Sequence, residues 1–192
     1  MKKPVLGAVA VLAALGFTAM LAAPAQGACK PPRPRHKLST KEISYLAKRW
    51  AQIRGLPPEW IAATILVESN GYPDLYGDCV GCTCKSIGLM QVNTIAHADD
   101  LRAQGLTRAD MFDPDKNVRM GSLILRSRYD DVVKALAGRR LNKIALGTAV
   151  RLAYKGPSKI LAAVRAGENA RLVYPQAADR WDVALVQATA LV

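Results

Sequence analysis

The chain has 192 residues, about half of them apolar, and a net charge of +12. This length suits one domain and leaves no room for two well-buried cores, and the composition excludes a disordered or collagen-like chain. The surplus of lysine and arginine indicates a polyanionic partner, which nucleic acid, a phospholipid surface or an anionic cell wall could each provide.

The N-terminal segment has the three-part layout of a secretory signal. Lys2 and Lys3 precede an apolar run over residues 5–23, and small residues at and after Ala23 offer cleavage sites. We predict a signal peptide over residues 1–28, cleaved near residues 25–28, and export to the periplasm or cell envelope. An uncleaved membrane anchor is the alternative, because the apolar run is long for a signal peptide.

Export changes the choice of partner. It argues against nucleic acid, and no run of lysine and arginine is interleaved with aromatic side chains that could stack on bases. We therefore expect peptidoglycan or anionic lipid as the partner of a monomeric protein, with an envelope-spanning machine as a further candidate.

Four cysteines are present, at Cys29, Cys79, Cys82 and Cys84. An even number in an oxidising compartment favours disulfides over free thiols. A ring closed through Cys82 and Cys84 would be strained, so we expect Cys29 to reach back to the cluster while the other two cysteines pair locally. Zinc bound by C-x-x-C-x-C and a histidine is the rival, but a second closely spaced ligand pair is missing, and we predict no metal.

Residues 29–41 are basic and rich in proline, which is typical of a linker, so we place the folded domain at residues 42–192. From Ser39 onwards the pattern is helical. Ser39 and Glu42 form a capping box that opens a helix ending at Gly55. The following predicted elements are a helix from Pro57-Pro58 to about Ser69, a loop over residues 74–86, a helix opened by Asp113-Pro114 and running to about Tyr129, and helices over 142–154, 158–166 and 176–191.

Strand patterns are nearly absent, and the fold class is therefore mainly α. The chemically interesting residue lies at the end of the second helix. Glu68 shares a helix face with Ile61, Thr64 and Ile65. An apolar face and the negative end of the helix dipole both favour a protonated carboxyl group, which is what a general acid in glycoside cleavage needs. The alternative is a frayed helix end with Glu68 exposed or paired with a nearby arginine.

Motifs downstream of Glu68 favour the catalytic interpretation. In chain order they are Glu68-Ser69, the Gly-Leu-Met-Gln of residues 88–91, the spacing of Pro114, Asn117 and Gly121, and Ala153-Tyr154. Together they resemble the catalytic domain of the soluble lytic transglycosylase family, whose fold is related to goose-type lysozyme. The resemblance covers residues 39–157, and more weakly the C-terminal helix.

The resemblance implies that Glu68 is the single catalytic carboxylate, that no cofactor is needed, and that the substrate is the bond between N-acetylmuramic acid and N-acetylglucosamine. The acid would protonate the leaving oxygen and then deprotonate the muramic 6-hydroxyl, which closes a 1,6-anhydro ring with assistance from the N-acetyl group. Ser69 would orient Glu68, Met90 and Gln91 would line the cleft, and Tyr154 would form a hydrogen bond near Glu68.

The sequence departs from the family pattern in three places. Lys155 replaces an asparagine in an Ala-Tyr motif that is one residue shorter, and the segment between Glu68 and Gln91 is longer and holds three cysteines. The late tyrosine of the family's cleft has two candidates, Tyr174 and Trp181.

Two other functions stay open. A hydrolytic muramidase would need a second carboxylate, for which Asp74 and Asp78 are candidates. A non-catalytic peptidoglycan-binding or envelope-assembly factor is favoured by Lys155 and the shortened motif.

Overall fold

The computed structural model describes residues 36–80 and 83–192. This part of the chain forms seven α-helices, a three-stranded antiparallel sheet and two short 3-10 turns, which confirms the mainly α fold class. The helices are α1 Thr40–Arg54, α2 Pro58–Ser69, α3 Ala98–Ala103, α4 Pro114–Leu136, α5 Lys143–Lys155, α6 Pro157–Ala166 and α7 Pro175–Leu191. The strands are β1 Tyr76–Val80, β2 Thr83–Ile87 and β3 Val92–Asn93, and the 3-10 turns are Ala109–Phe112 and Ala170–Leu172.

The capping signals in the sequence mark the helix ends correctly. The Ser39 hydroxyl accepts from the Glu42 backbone N–H, the Glu42 carboxylate accepts from the Ser39 backbone N–H, and α1 ends at Gly55 in the left-handed conformation. The Asp113 carboxylate caps α4, which continues seven residues beyond its predicted end to Leu136. The three predicted C-terminal helices are also present, as α5, α6 and α7.

The predicted loop over residues 74–86 is wrong, because most of it is a β-hairpin. Strands β1 and β2 pair with Cys79 opposite Cys84, and β3 extends the sheet on the other side of β2. Cys79 and Cys84 form a disulfide across the hairpin, which agrees with a local cysteine pair. Cys82, Cys29 and the predicted signal peptide lie outside the described residues.

The folded domain begins earlier than the boundary predicted at residue 42. Leu38 is buried, and its backbone N–H donates to the Gly71 carbonyl at 2.9 Å. The Lys37 ammonium donates to the Asn70 side chain at 2.9 Å. The last part of the predicted linker therefore packs against the C-terminal end of α2.

Helix α2 lies at the centre of the molecule. Residues 60–65 are buried on every side of the helix, which is expected of a segment that is apolar all round. It packs against α1, α5 and α7, and Gly147 of α5 admits the Trp60 ring, since a Cβ atom there would lie 2.9 Å from it. The core thus holds α2 rigidly, and Glu68, in the last turn of the helix, lies where the core meets the surface.

None of the helices within residues 36–80 and 83–192 combines the length and apolar character that a membrane-spanning helix requires.

Candidate active site

Glu68 lies in the last turn of α2, where the core ends. Asn70 follows in the left-handed conformation, with φ of 52°, and stops the helix. The Glu68 side chain keeps 22% of its surface exposed, so the carboxylate is anchored on a rigid element and still accessible. This placement suits a group that must meet a large substrate.

Arg151 of α5 is the partner of Glu68. Its Nη2 donates to Glu68 Oε1, and only 5% of the Arg151 side chain is exposed. The apolar helix face of Glu68 therefore ends at a charged partner, and the pairing with an arginine that belonged to the alternative interpretation is present. Arg151 was not among the predicted site residues, although it is the one charged residue in a buried stretch over residues 147–153 of α5.

Tyr154 supports Arg151 from one helical turn further along α5. The Arg151 guanidinium carbon lies 5.6 Å from the centre of the Tyr154 ring, a distance at which a cation attracts an aromatic face. Burial, reinforced by the negative charge of Glu68, raises the pKa of Tyr154 well above its usual range. The hydroxyl thus remains a donor, and it donates to the Met90 carbonyl at 2.8 Å.

Met90 does not line the site with its side chain, which corrects that prediction. The residue is fully buried, and its side chain packs against α4 where Gly121 leaves room for it. A Cβ atom at Gly121 would lie 2.6 Å from the Met90 Cβ, so glycine is required at this crossing. Met90 contributes to the site through its backbone carbonyl, which holds Tyr154.

Asn117 of α4 fixes the Gly-Leu-Met-Gln segment in place. It is fully buried, and its Oδ1 accepts from the Met90 backbone N–H at 2.9 Å. Its Nδ2 donates to the carbonyls of Ile87 and Met111, at 2.9 and 2.8 Å. One side chain thereby satisfies three buried backbone groups, which explains why the motif needs asparagine at this position.

The substitution Asn117→Asp is expected to destabilise the fold by about 3 kcal/mol or more at neutral pH. A carboxylate oxygen would replace the amide nitrogen and would face the two carbonyls to which that nitrogen donates. Protonation of the new carboxyl restores a donor, so the loss should shrink as the pH falls. Urea denaturation at neutral and mildly acidic pH measures both effects.

Asn93→Asp is the matched control for that experiment. The Asn93 side-chain oxygen accepts from the backbone N–H groups of Ile95 and Ala96, and a carboxylate serves equally well there. A loss at Asn117→Asp as small as in the control would contradict the role of the Asn117 amide as a double donor.

Gln91 ties the same segment to the hairpin. It has a φ of 48°, and its Nε2 donates to the carbonyls of Leu75 and Gly88 at 3.1 and 2.9 Å. Its Oε1 covers Gly77 so closely that a Cβ atom there would lie 2.0 Å away. Gln91 is half-buried, so the structure shows it as a bracing residue, and its contact with substrate stays a prediction.

Ser69 is turned towards the helix end rather than towards Glu68. Its hydroxyl donates to the Ile65 carbonyl at 3.1 Å and accepts from the Gly71 N–H at 3.2 Å. Any effect of Ser69 on Glu68 therefore acts through the conformation of the last turn of α2.

The structure separates the two candidates for the late tyrosine. Trp181 is 1% exposed and belongs to the core. The Tyr174 hydroxyl lies beside Gly156, 3.1 Å from the position of a Cβ atom there, and so close to the end of α5. Lys155, which replaces the family asparagine, is exposed.

Of the remaining candidates, Asp78, Cys79 and Cys84 are engaged within the hairpin, and Asp74 is half-buried ahead of it. Asp78 accepts a hydrogen bond from Ser86 Oγ at 2.5 Å across the hairpin. Cys79 and Cys84 are bonded to each other, and within the described ranges no group of three histidine, cysteine or acidic side chains is arranged to hold a metal ion.

The domain is mainly helical, and its buried helix α2 presents Glu68 next to a second helix, α5, and a small sheet. This arrangement is that of the lysozyme-like class of proteins. The family model described as the transglycosylase SLT domain matches residues 45–164. Since this is more than half of the chain, the protein belongs to that family, whose members are lytic enzymes acting on peptidoglycan. Comparison with curated proteins gave no match.

Proposed function

We propose that the protein is an exported peptidoglycan lytic transglycosylase in which Glu68 is the only general acid and base. The observation that carries this proposal is the geometry of the Glu68 carboxylate. The guanidinium of Arg151 holds Oε1, and Oε2 is the oxygen left to exchange a proton with the glycan.

In the proposed reaction the same carboxyl group acts first as the acid and then as the base. Glu68 first gives its proton to the oxygen that leaves C1 of N-acetylmuramic acid as the C1–O4 bond breaks. The carboxylate then takes the proton from the 6-hydroxyl of the same sugar, and the C1–O6 bond forms. The proton returns to Glu68 and no water is consumed, so the product ends in a 1,6-anhydro ring.

Hydrolytic mechanisms require a second carboxylate at a defined distance from the first, and Asp78 is poorly suited to that role. The Asp78 carboxylate is committed to Ser86, within the hairpin. This contact argues against Asp78 as the second carboxylate, whereas Asp74, half-buried ahead of the hairpin, stays a candidate for that role.

Export is supported by the N-terminal signal pattern and by the disulfide between Cys79 and Cys84, because disulfides persist in oxidising compartments. The family match makes peptidoglycan the substrate, which such a compartment contains.

Incubation of the purified protein with peptidoglycan, followed by chromatography of the soluble fragments before and after borohydride reduction, tests the proposal. Anhydro ends have no reducing group, so the fragments should elute unchanged after reduction. Fragments that shift on reduction would identify a hydrolase, and the absence of soluble fragments from oxidised, folded protein would favour a binding factor.

A further inference from the structure

The net charge of the domain lies almost entirely in one region. We define the basic lobe as residues 132–178, which contain the C-terminal end of α4, α5, α6, the second 3-10 turn and the first turn of α7. It holds nine lysines and arginines against the single acid Glu168, whereas residues 36–131 hold twelve of each sign. The lobe therefore carries a net charge of +8, whereas the rest of the fold, which also includes Asp179, Arg180 and Asp182, carries −1.

Several of the nine cations are used within the fold. Arg151 pairs with Glu68, Lys143 with Glu59, and Arg171 with two aspartates of α7. Arg139 donates to backbone carbonyls at the ends of α4 and α6. Five cations stay exposed and form no ion pair within the described part of the chain, and they are Lys134, Arg140, Lys155, Lys159 and Arg165.

Three of these five cations border concave surfaces that also contain apolar groups. Arg140 and the acid Glu168 line a cavity of about 530 Å³ between α4, α5 and α6, together with Leu141 and Ile144, which are 40% and 62% exposed. Lys134 and Arg165 line a second cavity of about 370 Å³ on α4 and α6, which Asp131 also lines while it pairs with Arg128. Cations beside apolar sockets fit a ligand that carries both carboxylates and methyl groups, rather than a uniformly charged polymer.

The lobe is also within reach of the catalytic residue. Ile144 borders the larger cavity, and Arg151, which holds Glu68, follows seven residues later on the same helix. Seven residues of α-helix span about 10 Å, which is comparable with the length of a disaccharide unit.

We propose that the basic lobe is a docking surface for the peptide stems of peptidoglycan, whose free carboxylates and alanine methyl groups match its cations and apolar sockets. This inference rests on the proposed substrate. Stems next to the bond being cleaved would bind beside the glycan held at Glu68, and charge attraction would make binding to peptidoglycan salt-dependent.

The test measures binding of the Glu68→Gln protein to insoluble peptidoglycan by sedimentation over a range of salt concentrations. Arg140, Lys159 and Arg165 are replaced together by glutamine. The matched control replaces Lys41, Lys48 and Arg180, which are exposed, unpaired within the described residues, and outside the lobe. The lobe variant should bind about tenfold more weakly and with less salt dependence, whereas the control should bind like the parent. Equal losses in the two variants would show a general charge effect and overturn the proposal.

Three further probes identify the ligand. One probe is peptidoglycan whose carboxylates have been amidated, and another is glycan strands stripped of their stems. The parent protein should bind each of them weakly. The expected affinity equals that of the lobe variant for intact peptidoglycan. Undiminished binding to either would overturn the proposal, as would a lobe variant that loses binding only to phosphatidylglycerol vesicles. Because the protein used is inactive, these results do not depend on which products the active enzyme releases.

Discussion

Replacing Glu68 with glutamine should lower the rate of peptidoglycan cleavage about a thousandfold, because the amide can neither give nor take the proton that both steps require. The amide oxygen can still accept from Arg151, so the last turn of α2 should keep its conformation. Release of soluble fragments under conditions of excess enzyme measures the loss.

Three controls make that result decisive. The thermal melting temperature of Glu68→Gln should lie close to that of the parent, and the variant should still sediment with insoluble peptidoglycan. Glu59→Gln is the matched substitution, since Glu59 begins the same helix and pairs with Lys143. If Glu68→Gln retained activity within tenfold of the parent, Glu68 would not be the acid and base.

Replacing Arg151 with leucine should lower kcat about a hundredfold with little change in KM, because the Glu68 carboxylate would lose the group that holds Oε1 and would lie out of alignment with the glycan. Arg151→Lys keeps the charge but not the planar fork, so an intermediate kcat is expected. Steady-state kinetics on soluble glycan fragments separates the two parameters.

The variant Arg139→Gln is the control for misfolding. It distinguishes activity lost because the protein unfolds from activity lost because Glu68 is no longer held in position. The Arg139 guanidinium also holds chain segments together, but it donates to the backbone carbonyls of Leu136 and Arg165 and not to Glu68. This variant should lose stability and keep its kcat. A kcat for Arg151→Leu that falls only in proportion to the unfolded fraction would contradict the positioning role.

The contacts of the site link motifs that are far apart in the chain. Asn117 accepts from the backbone N–H of Met90, and the Met90 carbonyl accepts from the Tyr154 hydroxyl. The Tyr154 ring lies against Arg151, and Arg151 donates to Glu68. The motifs that carry the family resemblance therefore form one continuous set of contacts that supports a single carboxylate.

Local signals were sufficient to predict most of the helices and the catalytic candidate. Ser39 with Glu42, Asp113 and Gly55 act within a few residues of themselves, so their effect can be read without knowledge of the fold. The position of Glu68 at the end of an apolar helix is equally local.

The features that the sequence did not reveal depend on contacts between distant segments. The pair of Glu68 and Arg151 joins residues 83 positions apart. Gly77 and Asp78 are poor strand formers, and the hairpin around them is held by strand pairing and the disulfide. The four residues of the Gly-Leu-Met-Gln segment are too few to show a period, so nothing local indicated that the Met90 side chain turns inwards towards Gly121.

The central claim is that Glu68 catalyses an internal transfer within the sugar and not the addition of water. Digestion of peptidoglycan in water enriched in the heavy isotope of oxygen, followed by mass spectrometry of the soluble fragments, tests it most directly. We expect fragments that end in 1,6-anhydromuramic acid and contain no heavy oxygen. One heavy oxygen atom at C1 of muramic acid for each bond cleaved would contradict it.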